Sequence, residues 1–401
     1  MALAALLALA LAFPCAPAQA ADTKWEPELH VRTMYDDNIL FTNTAETDDV
    51  ITVISPRLGF SATTPRSQAR FTGMFDVIRY AAAPELDTLH HRYVLTGRSQ
   101  VSQRWALSGE GEYRRDSALD DELEETGRLA VRTDREWLLA GAGADYAVSE
   151  RSQFGLSYRH TGTRYEAADH QDRDSDTVTA SYERVLTQTR ATLLVRPRYT
   201  HWETADNRTD DYGLAVGWRM PLRETFAFEG SAGGRYTISE REFLVRQVSD
   251  PTADTGFQVV FVPDSRRVTT WGFTANVLAR WTRERTRSTL GYRRGSRVTS
   301  LGETVESDII LATFQRRITP RLSAGAAGRL TFARSIGGPE SDRSRYVDLS
   351  PSVAYLITES ITLEAAHRYT HDRDDTKSPD PVSVRNQTWV QLKIDFSSWN
   401  W

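Results

Sequence analysis

The C-terminal segment of this 401-residue chain alternates apolar and polar side chains. In residues 388–396, Val390, Leu392, Ile394 and Phe396 fall on one side of an extended chain, and mainly polar residues fall on the other. Because successive side chains of a strand point to opposite faces, this pattern predicts an amphipathic β-strand. Its apolar face lies either against a soluble core or, in an outer-membrane barrel, against lipid.

Two kinds of connection separate the segments of this type, and they alternate along the chain. One kind is short, such as residues 64–67, 149–152 and 282–285; the other is long and acidic, as in 36–49, 116–134, 166–176, 203–211, 240–267 and 372–381. Tight periplasmic turns alternating with long outer loops are typical of a transmembrane antiparallel β-barrel of the outer membrane. This pattern predicts an all-β chain with about 18 strands (16 is the alternative), each about 9–11 residues long or slightly more.

The predicted strand centres follow one another at regular intervals. They are Val31, Val53, Phe75, Val94, Gly109, Gly141, Tyr158, Ala180, Val195, Val216, Gly230, Ala275, Tyr292, Ala312, Gly328, Val353, Ala365 and Leu392. Weak strand character near Leu129 and Val259 leaves the count open by two. Segment 240–267 is either an extracellular hairpin or a loop that folds into the lumen.

Aromatic residues at both ends of an apolar strand indicate which face meets lipid. Trp271 and Trp281 flank one such strand, and Tyr212 and Trp218 belong to another, as expected for the aromatic girdles of a membrane barrel. A soluble sandwich or propeller, the alternative fold, does not require this spacing. The final strand, with Val390, Leu392, Ile394 and Phe396, also resembles the C-terminal assembly signal read by the barrel assembly machinery.

Composition and the N-terminus agree with export. Residues 3–13 are an apolar run of signal-peptide length, and 18–20 read Ala-Gln-Ala, which predicts a signal peptide over residues 1–20 and a single barrel domain over 21–401. Cys15, the only cysteine, is expected to leave with this segment, so the mature chain has no disulfide or cysteine-based metal site.

The mean hydropathy of −0.48 fits a barrel, in which apolar outward residues and polar inward residues offset each other. A net charge of −5 argues against nucleic-acid binding.

The face opposite the lipid side is rich in arginine. Of the 49 basic residues, only Lys24, Lys377 and Lys393 are lysines. Arg70 and Arg114 have this inward parity, and the predicted lumen lining is Arg159, Arg196, Arg198, Arg219, Arg235, Arg280, Arg293, Arg297, Arg317, Arg329 and Arg368. Two interpretations stay open: an Arg–Glu ladder that braces the wall, or a passage whose positive charge favours anions.

No motif for catalysis, a cofactor or a metal site appears in the chain, so we expect a protein that is not an enzyme and binds no cofactor.

One local motif points to a family. Residues 35–39 read Y-D-D-N-I, and D-V-I at 49–51 precedes S-P-R-L at 55–58. This opening resembles that of the Putative beta-barrel porin 2 family.

The resemblance implies an outer-membrane barrel of the kind found with exopolysaccharide, capsule or biofilm-matrix export systems. It implies a passage for an exported, anionic polysaccharide; the alternatives are a diffusion porin for small solutes and a non-conducting barrel that anchors a partner. The expected partners are outer-membrane lipid and lipopolysaccharide, the barrel assembly machinery and a periplasmic polysaccharide export protein, in a bacterial outer membrane.

Overall fold

The computed structural model describes residues 21–119, 133–167, 170–189, 191–248, 259–336, 343–374 and 381–400. The predicted signal peptide and the strand candidate near Leu129 lie outside these residues. None of the helices among the described residues is long and apolar enough to cross a membrane.

Eighteen antiparallel strands close into one barrel. Their bounds are β1 (Asp22–Asp36), β2 (Asp49–Thr63), β3 (Ser67–Tyr80), β4 (Thr88–Gln100), β5 (Trp105–Ser117), β6 (Asp134–Ser149), β7 (Ser152–Tyr165), β8 (Arg173–Val185), β9 (Thr192–Thr204), β10 (Asn207–Arg223), β11 (Phe226–Val248), β12 (Val259–Arg283), β13 (Thr286–Val298), β14 (Thr304–Arg317), β15 (Leu322–Ser335), β16 (Arg343–Thr358), β17 (Ile361–Asp374) and β18 (Val382–Asp395). Each predicted centre falls in its own strand, so the count of eighteen is confirmed and sixteen is wrong.

The closure joins the last strand to the first, with Val31 opposite Leu392. A two-residue strand, β19 (Trp399–Asn400), pairs with Lys24 and Trp25 of β1 beyond the end of β18. Closure leaves no unpaired sheet edge in the lipid-crossing part of this seam, which is what a membrane without water requires.

The strands are longer than predicted, from 13 residues in β4 to 25 in β12. About 9–11 residues are enough to cross the bilayer, so the wall continues beyond it. The prediction of a long loop at 203–211 was wrong. Strand β9 ends at Thr204 and β10 begins at Asn207, whose backbone N–H donates to the Thr204 hydroxyl over 3.1 Å. The polar residues of this segment alternate along two strands instead of forming a loop.

The segment 240–267 forms a hairpin in its described part. Strands β11 and β12 pair without interruption from Phe226 opposite Trp281 to Val248 opposite Val259. The neighbour β10 begins only at the level of Arg241, so the hairpin extends past β10. Of the two alternatives from the sequence, these residues support the hairpin.

Two chemically different faces follow from the register, because residues paired across strands share a face. The outward face carries exposed apolar side chains around the barrel, among them Leu156, Leu214, Phe273, Leu349 and Val390. The inward face carries most of the charged pairs. The end with the short connections, where β1 begins and β18 ends, corresponds to the periplasmic end, and the end with longer connections is the outer end.

Candidate functional site

The β13–β14 hairpin bends into the barrel at its outer end. Strand β12 pairs with β13 only as far as Ala275 opposite Arg294, so the last residues of β13 leave the wall. The tip then reaches strands on the other side. The amide of Asn207 in β10 donates to the Gly302 carbonyl over 2.9 Å, and the Arg173 guanidinium in β8 donates to the Val298 carbonyl. Since β8 and β13 lie five strands apart, these contacts cross the interior.

Polar contacts fasten this infolded hairpin to the inner wall. The buried carboxylate of Glu306 accepts hydrogen bonds from Arg235 at 2.7 Å, Arg294 at 2.5 Å and Arg334 at 2.8 Å. The Ser296 hydroxyl donates to Asp211 over 3.2 Å. The carboxylates of Glu306 and Asp211 and the guanidinium of Arg235 are almost fully buried. Because a buried charge without a partner is strongly destabilising, each of these groups needs its ion pair. We call these contacts the latch.

A glycine permits the tight fit of the hairpin tip. Gly302 has φ of +74°, in the left-handed region, and a Cβ there would lie 2.5 Å from the side-chain oxygen of Gln171. Gln171 also donates its backbone N–H to the Ser300 carbonyl over 2.7 Å. The hairpin tip therefore packs closely against the β7–β8 connection. Any larger residue at position 302 would adopt a strained backbone conformation and would collide with Gln171.

A second inward element is the β1–β2 connection, residues 37–48. The side-chain amide of Asn38 donates to the carbonyl of Val384 in β18 over 2.9 Å. Phe41 is fully buried and packs in one cluster with Leu119, which follows β5, and with Tyr346 in β16. These residues come from distant parts of the wall, so this connection also occupies the outer part of the lumen.

Beside this connection lies an apolar cluster on the inward face. It contains Met34, Ile39, Ile51, Val53 and Tyr80. The sequence contained a signal for it: β2 opens with Val-Ile-Thr-Val-Ile, which is apolar on both faces, and such a run indicates a strand covered on both sides. Among the described residues, the inward face is thus mainly polar, with apolar clusters in its outer part.

Beneath the infolded hairpin lies a cavity of about 430 Å³ that we call the arginine chamber. Its described lining includes eight arginines and two tryptophans, and no Asp or Glu is among these described residues. These are Arg114, Arg159, Arg173, Arg196, Arg198, Arg293, Arg294 and Arg297, with Trp137 and Trp202. Guanidinium groups bind carboxylates, phosphates and sulfates in bidentate fashion, so the lining suits an anion.

The counter-charges of the chamber lie outside its lining. Arg159 donates to Glu110 over 2.6 Å, and Arg198 reaches Asp211 at 3.4 Å. Arg196 forms no ion pair with the residues that the structure describes. Arg114 pairs with Asp116 at 3.4 Å and Arg294 with Glu306 at 2.5 Å, so carboxylates of the wall neutralise part of the positive charge of the chamber.

The register places all eleven predicted arginines on the inward face, but in several groups. Arg159, Arg196, Arg198, Arg293 and Arg297 line the chamber, and Arg235 belongs to the latch. Nearer the periplasmic end, Arg219 and Arg280 both lie within 4 Å of Glu229, in the arrangement of a bracing ladder.

On the far wall, Arg368 binds Asp348, while Arg329 stands opposite Asp348 in the register. Arg317 lies at the end of β14 near a short turn. The eleven residues therefore do not form a single site.

Four chamber residues were missed from the sequence. Arg173 fell inside a predicted loop, and Arg294 has outward parity, so only the inward bend of β13 brings it to the chamber. Trp137 and Trp202 have inward parity. Trp202 lies four residues after Arg198 and therefore has the same inward parity, which is the sequence signal that could have identified it.

The predicted girdle residues all lie on the outward face. Tyr212 packs beside Tyr199, and Trp271 beside Tyr236, with ring centroids 5.1 and 4.7 Å apart. Trp218 and Trp281 lie nearer the periplasmic end of the same strands.

Within the described ranges, no group of three or more His, Cys, Asp or Glu residues is placed to hold a metal ion.

A family model matches nearly the whole chain. The model described as "Putative beta-barrel porin 2" aligns with residues 25–395. The chain belongs to this family. It is accordingly a porin-like β-barrel of the bacterial outer membrane, and the resemblance seen in residues 35–58 is confirmed. No curated protein matches the chain.

Solved outer-membrane barrels resemble the chain at low identity. OpdK of Pseudomonas aeruginosa, solved with vanillate, is 14% identical with a TM-score of 0.47, and the match covers 94% of this chain and 99% of that one. OccAB4 of Acinetobacter baumannii is 11% identical, with a TM-score of 0.46 and coverage of 95% and 100%. The ferric-catecholate receptor Fiu of E. coli K12 is 9% identical, with a TM-score of 0.46 and coverage of 95% and 82%. At this distance the matches carry no information on the solute.

Proposed function

We propose that this barrel is a passage for anionic solutes and that the arginine chamber is its selective section. The observation that carries the proposal is the lining of eight arginines, with no carboxylate among the lining residues that the structure describes. These guanidinium groups create a positive field in the chamber. In a low-dielectric cavity, such a field raises the local concentration of anions.

The latch gives the passage a closed state. Asn207, which holds the hairpin tip, lies nearer the outer end of β10 than Ala215, which lines the chamber. The infolded hairpin therefore covers the chamber on its outer side. Release of the latch would join the chamber to the outer surface.

The cargo that we propose is an anionic polysaccharide on its way out of the cell. A polymer is suited to transport by several weak contacts, each of which is released as the next is made. Arginines occur in the chamber, along β15 and β17 and near the periplasmic turns, so contacts are available at several heights. The resemblance of residues 35–58 implies a barrel of the kind found with polysaccharide export systems, which supports the same cargo.

Conductance in planar bilayers tests the anionic passage. Replacement of Arg196, Arg293 and Arg297 by Ala removes three chamber charges, and we expect anion selectivity to be lost. The control variant replaces three inward arginines outside the chamber, Arg70, Arg280 and Arg317, by Ala and should keep its selectivity. Equal selectivity in both variants and the native protein would contradict the role of the chamber.

The cargo is tested separately in the cell. Deletion of the gene should lower surface polysaccharide, and the native gene, but not the triple chamber variant, should restore it. Unchanged polysaccharide after deletion would refute polysaccharide export while leaving the anionic passage intact.

The size of the chamber favours a second candidate, a channel for a small organic anion. A volume of about 430 Å³ lies in the range of pockets that enclose single small molecules. Liposome swelling with small mono- and dicarboxylates distinguishes the two: rapid uptake that depends on Arg196 favours the small solute.

A further inference from the structure

A second basic cavity lies on the opposite side of the wall, facing away from the lumen. It has a volume of about 290 Å³ and is formed by the outer ends of β13 to β16. The side chains that line it with outward parity are Arg294, Glu306, Asp308, Phe332, Arg334, Arg343 and Arg345. We call it the rim pocket. The inward bend of β13 and β14 produces its concave shape.

The rim pocket lies where the apolar band of the barrel ends. Phe332 is an exposed outward residue of β15 and lines the pocket. In the neighbouring strand β14, exposed Ile310 is followed towards the outer end by Asp308, two residues away on the same face. Within the pocket, Phe332 lies in register with Asp308 on one side and Arg345 on the other. The next outward pair towards the membrane is Ile310 and Leu330, so the charged pocket adjoins the apolar band, at the boundary between acyl chains and headgroups.

Among the residues that the structure describes, the rim pocket has an excess of positive charge. Four arginines face two carboxylates, and one of these, Glu306, is also bound from the lumen side by Arg235 at 2.7 Å. Asp308 is bound by Arg294 at 2.8 Å and accepts a hydrogen bond from the Tyr292 hydroxyl. The two carboxylates thus hold the inner part of the pocket together. Arg334 pairs with Glu306 at 2.8 Å and keeps about half of its side chain exposed.

We propose that the rim pocket binds the phosphate of a phosphorylated glycolipid of the outer leaflet. Arg334, Arg343 and Arg345 would hold the phosphate through charge-assisted hydrogen bonds, and the acyl chains would descend along Phe332 and Ile310. A soluble anion would use the charge but not the adjoining apolar wall. The proposal concerns the outer surface of the barrel and does not depend on which solute passes through the lumen.

Native mass spectrometry of the full-length detergent-solubilised protein tests the proposal. The probes are bisphosphorylated lipid A, the same lipid without its phosphates, and inorganic phosphate. We expect retention of the bisphosphorylated lipid alone and at least about tenfold weaker retention in the Arg334→Ala/Arg345→Ala variant. The matched control is Arg208→Ala, which removes an exposed outward arginine from β10, where Arg208 pairs with Glu203 at 3.0 Å.

Several outcomes would overturn the proposal. Equal retention by the double variant and the native barrel would exclude the rim pocket, and an equal loss in Arg208→Ala would show a general effect of rim charge. Retention of the dephosphorylated lipid would exclude phosphate recognition. Competition by inorganic phosphate at the concentration of the lipid would show a site for free anions. If the double variant does not fold, as judged by gel mobility without heating, Arg345→Glu alone serves in its place.

Discussion

Neutralising Glu306 should release the infolded hairpin. Its carboxylate, only 6% exposed, is the shared partner of Arg235, Arg294 and Arg334. In Glu306→Gln the side chain keeps its shape but loses its charge, which leaves Arg235 buried with Asp211 at 3.9 Å as its nearest carboxylate. Removing one partner of a buried ion pair costs about 3–5 kcal/mol.

The expected effect is at the lower end of this range, because Asp211 and Asp308 still compensate part of the positive charge. A cost of about 3 kcal/mol lowers the ratio of latched to released hairpin by about a hundredfold, since each 1.4 kcal/mol is a factor of ten. In planar bilayers, the variant should therefore show longer and more frequent open periods than the native barrel.

A reversible crosslink shows whether the hairpin is the moving part. The hydroxyl oxygens of Thr209 and Thr304 lie 3.3 Å apart, on the wall and on the hairpin. Because these side chains are adjacent, Thr209→Cys/Thr304→Cys should form a disulfide. The sole native cysteine, Cys15, lies in the predicted signal peptide and is not expected to compete for the new thiols. In the Glu306→Gln background, the oxidised crosslink should suppress the added openings and reduction should restore them.

Glu303→Gln provides the matched control. It makes the same chemical change on the same hairpin, at a carboxylate that forms no ion pair with the described residues, and should leave conductance unchanged. The reasoning fails if Glu303→Gln opens the channel as much as Glu306→Gln. It also fails if the crosslink leaves the openings of Glu306→Gln unaltered.

Three further changes test separate parts of the occluded outer end. Gly302→Ala would place a side chain at an unfavourable φ and in collision with Gln171, and should weaken the latch by about 1–2 kcal/mol. We expect a longer open time of the channel in planar bilayers, and an unchanged open time would contradict the tight fit. Phe41→Ala removes a fully buried ring and should lower stability by about 3–5 kcal/mol, measured by urea unfolding in micelles. Asp49→Ala removes the acceptor of the backbone N–H groups of residues 81–83, at 3.0–3.1 Å, so these amides should exchange hydrogen faster, while equal exchange would refute that role.

The strand number, the order of the strands and the two faces could be predicted from the sequence, because they depend on local periodicity. A side chain alternates from one face to the other whatever its neighbours do. Val390, Leu392 and Ile394 therefore indicate an outward face before any partner is known, and β1 follows as the partner at closure. The same rule put Arg196, Arg198 and Arg293 on the inward face.

Side-chain parity also explains why the loop prediction at 203–211 was wrong. The segment 203–211 is polar on both faces, so it looked like a loop; it is a strand pair because Asp211 and Thr209 meet the infolded hairpin inside the barrel. For the segment 240–267 the sequence left a hairpin and an inward loop open, and its described part forms the hairpin. The β13–β14 hairpin, which does enter the lumen, has only five residues between its strands.

The sequence by itself thus determined a barrel wall, its lipid-facing side and an arginine-rich inner side. Only the tertiary structure decided which arginines share a cavity. Arg173 and Arg294 come from strands five apart, and they meet at the chamber because the β13–β14 hairpin leaves the wall and crosses the interior. Periodicity describes the faces of a flat sheet, whereas contacts across a closed barrel depend on its curvature and on where a hairpin bends away from its neighbour.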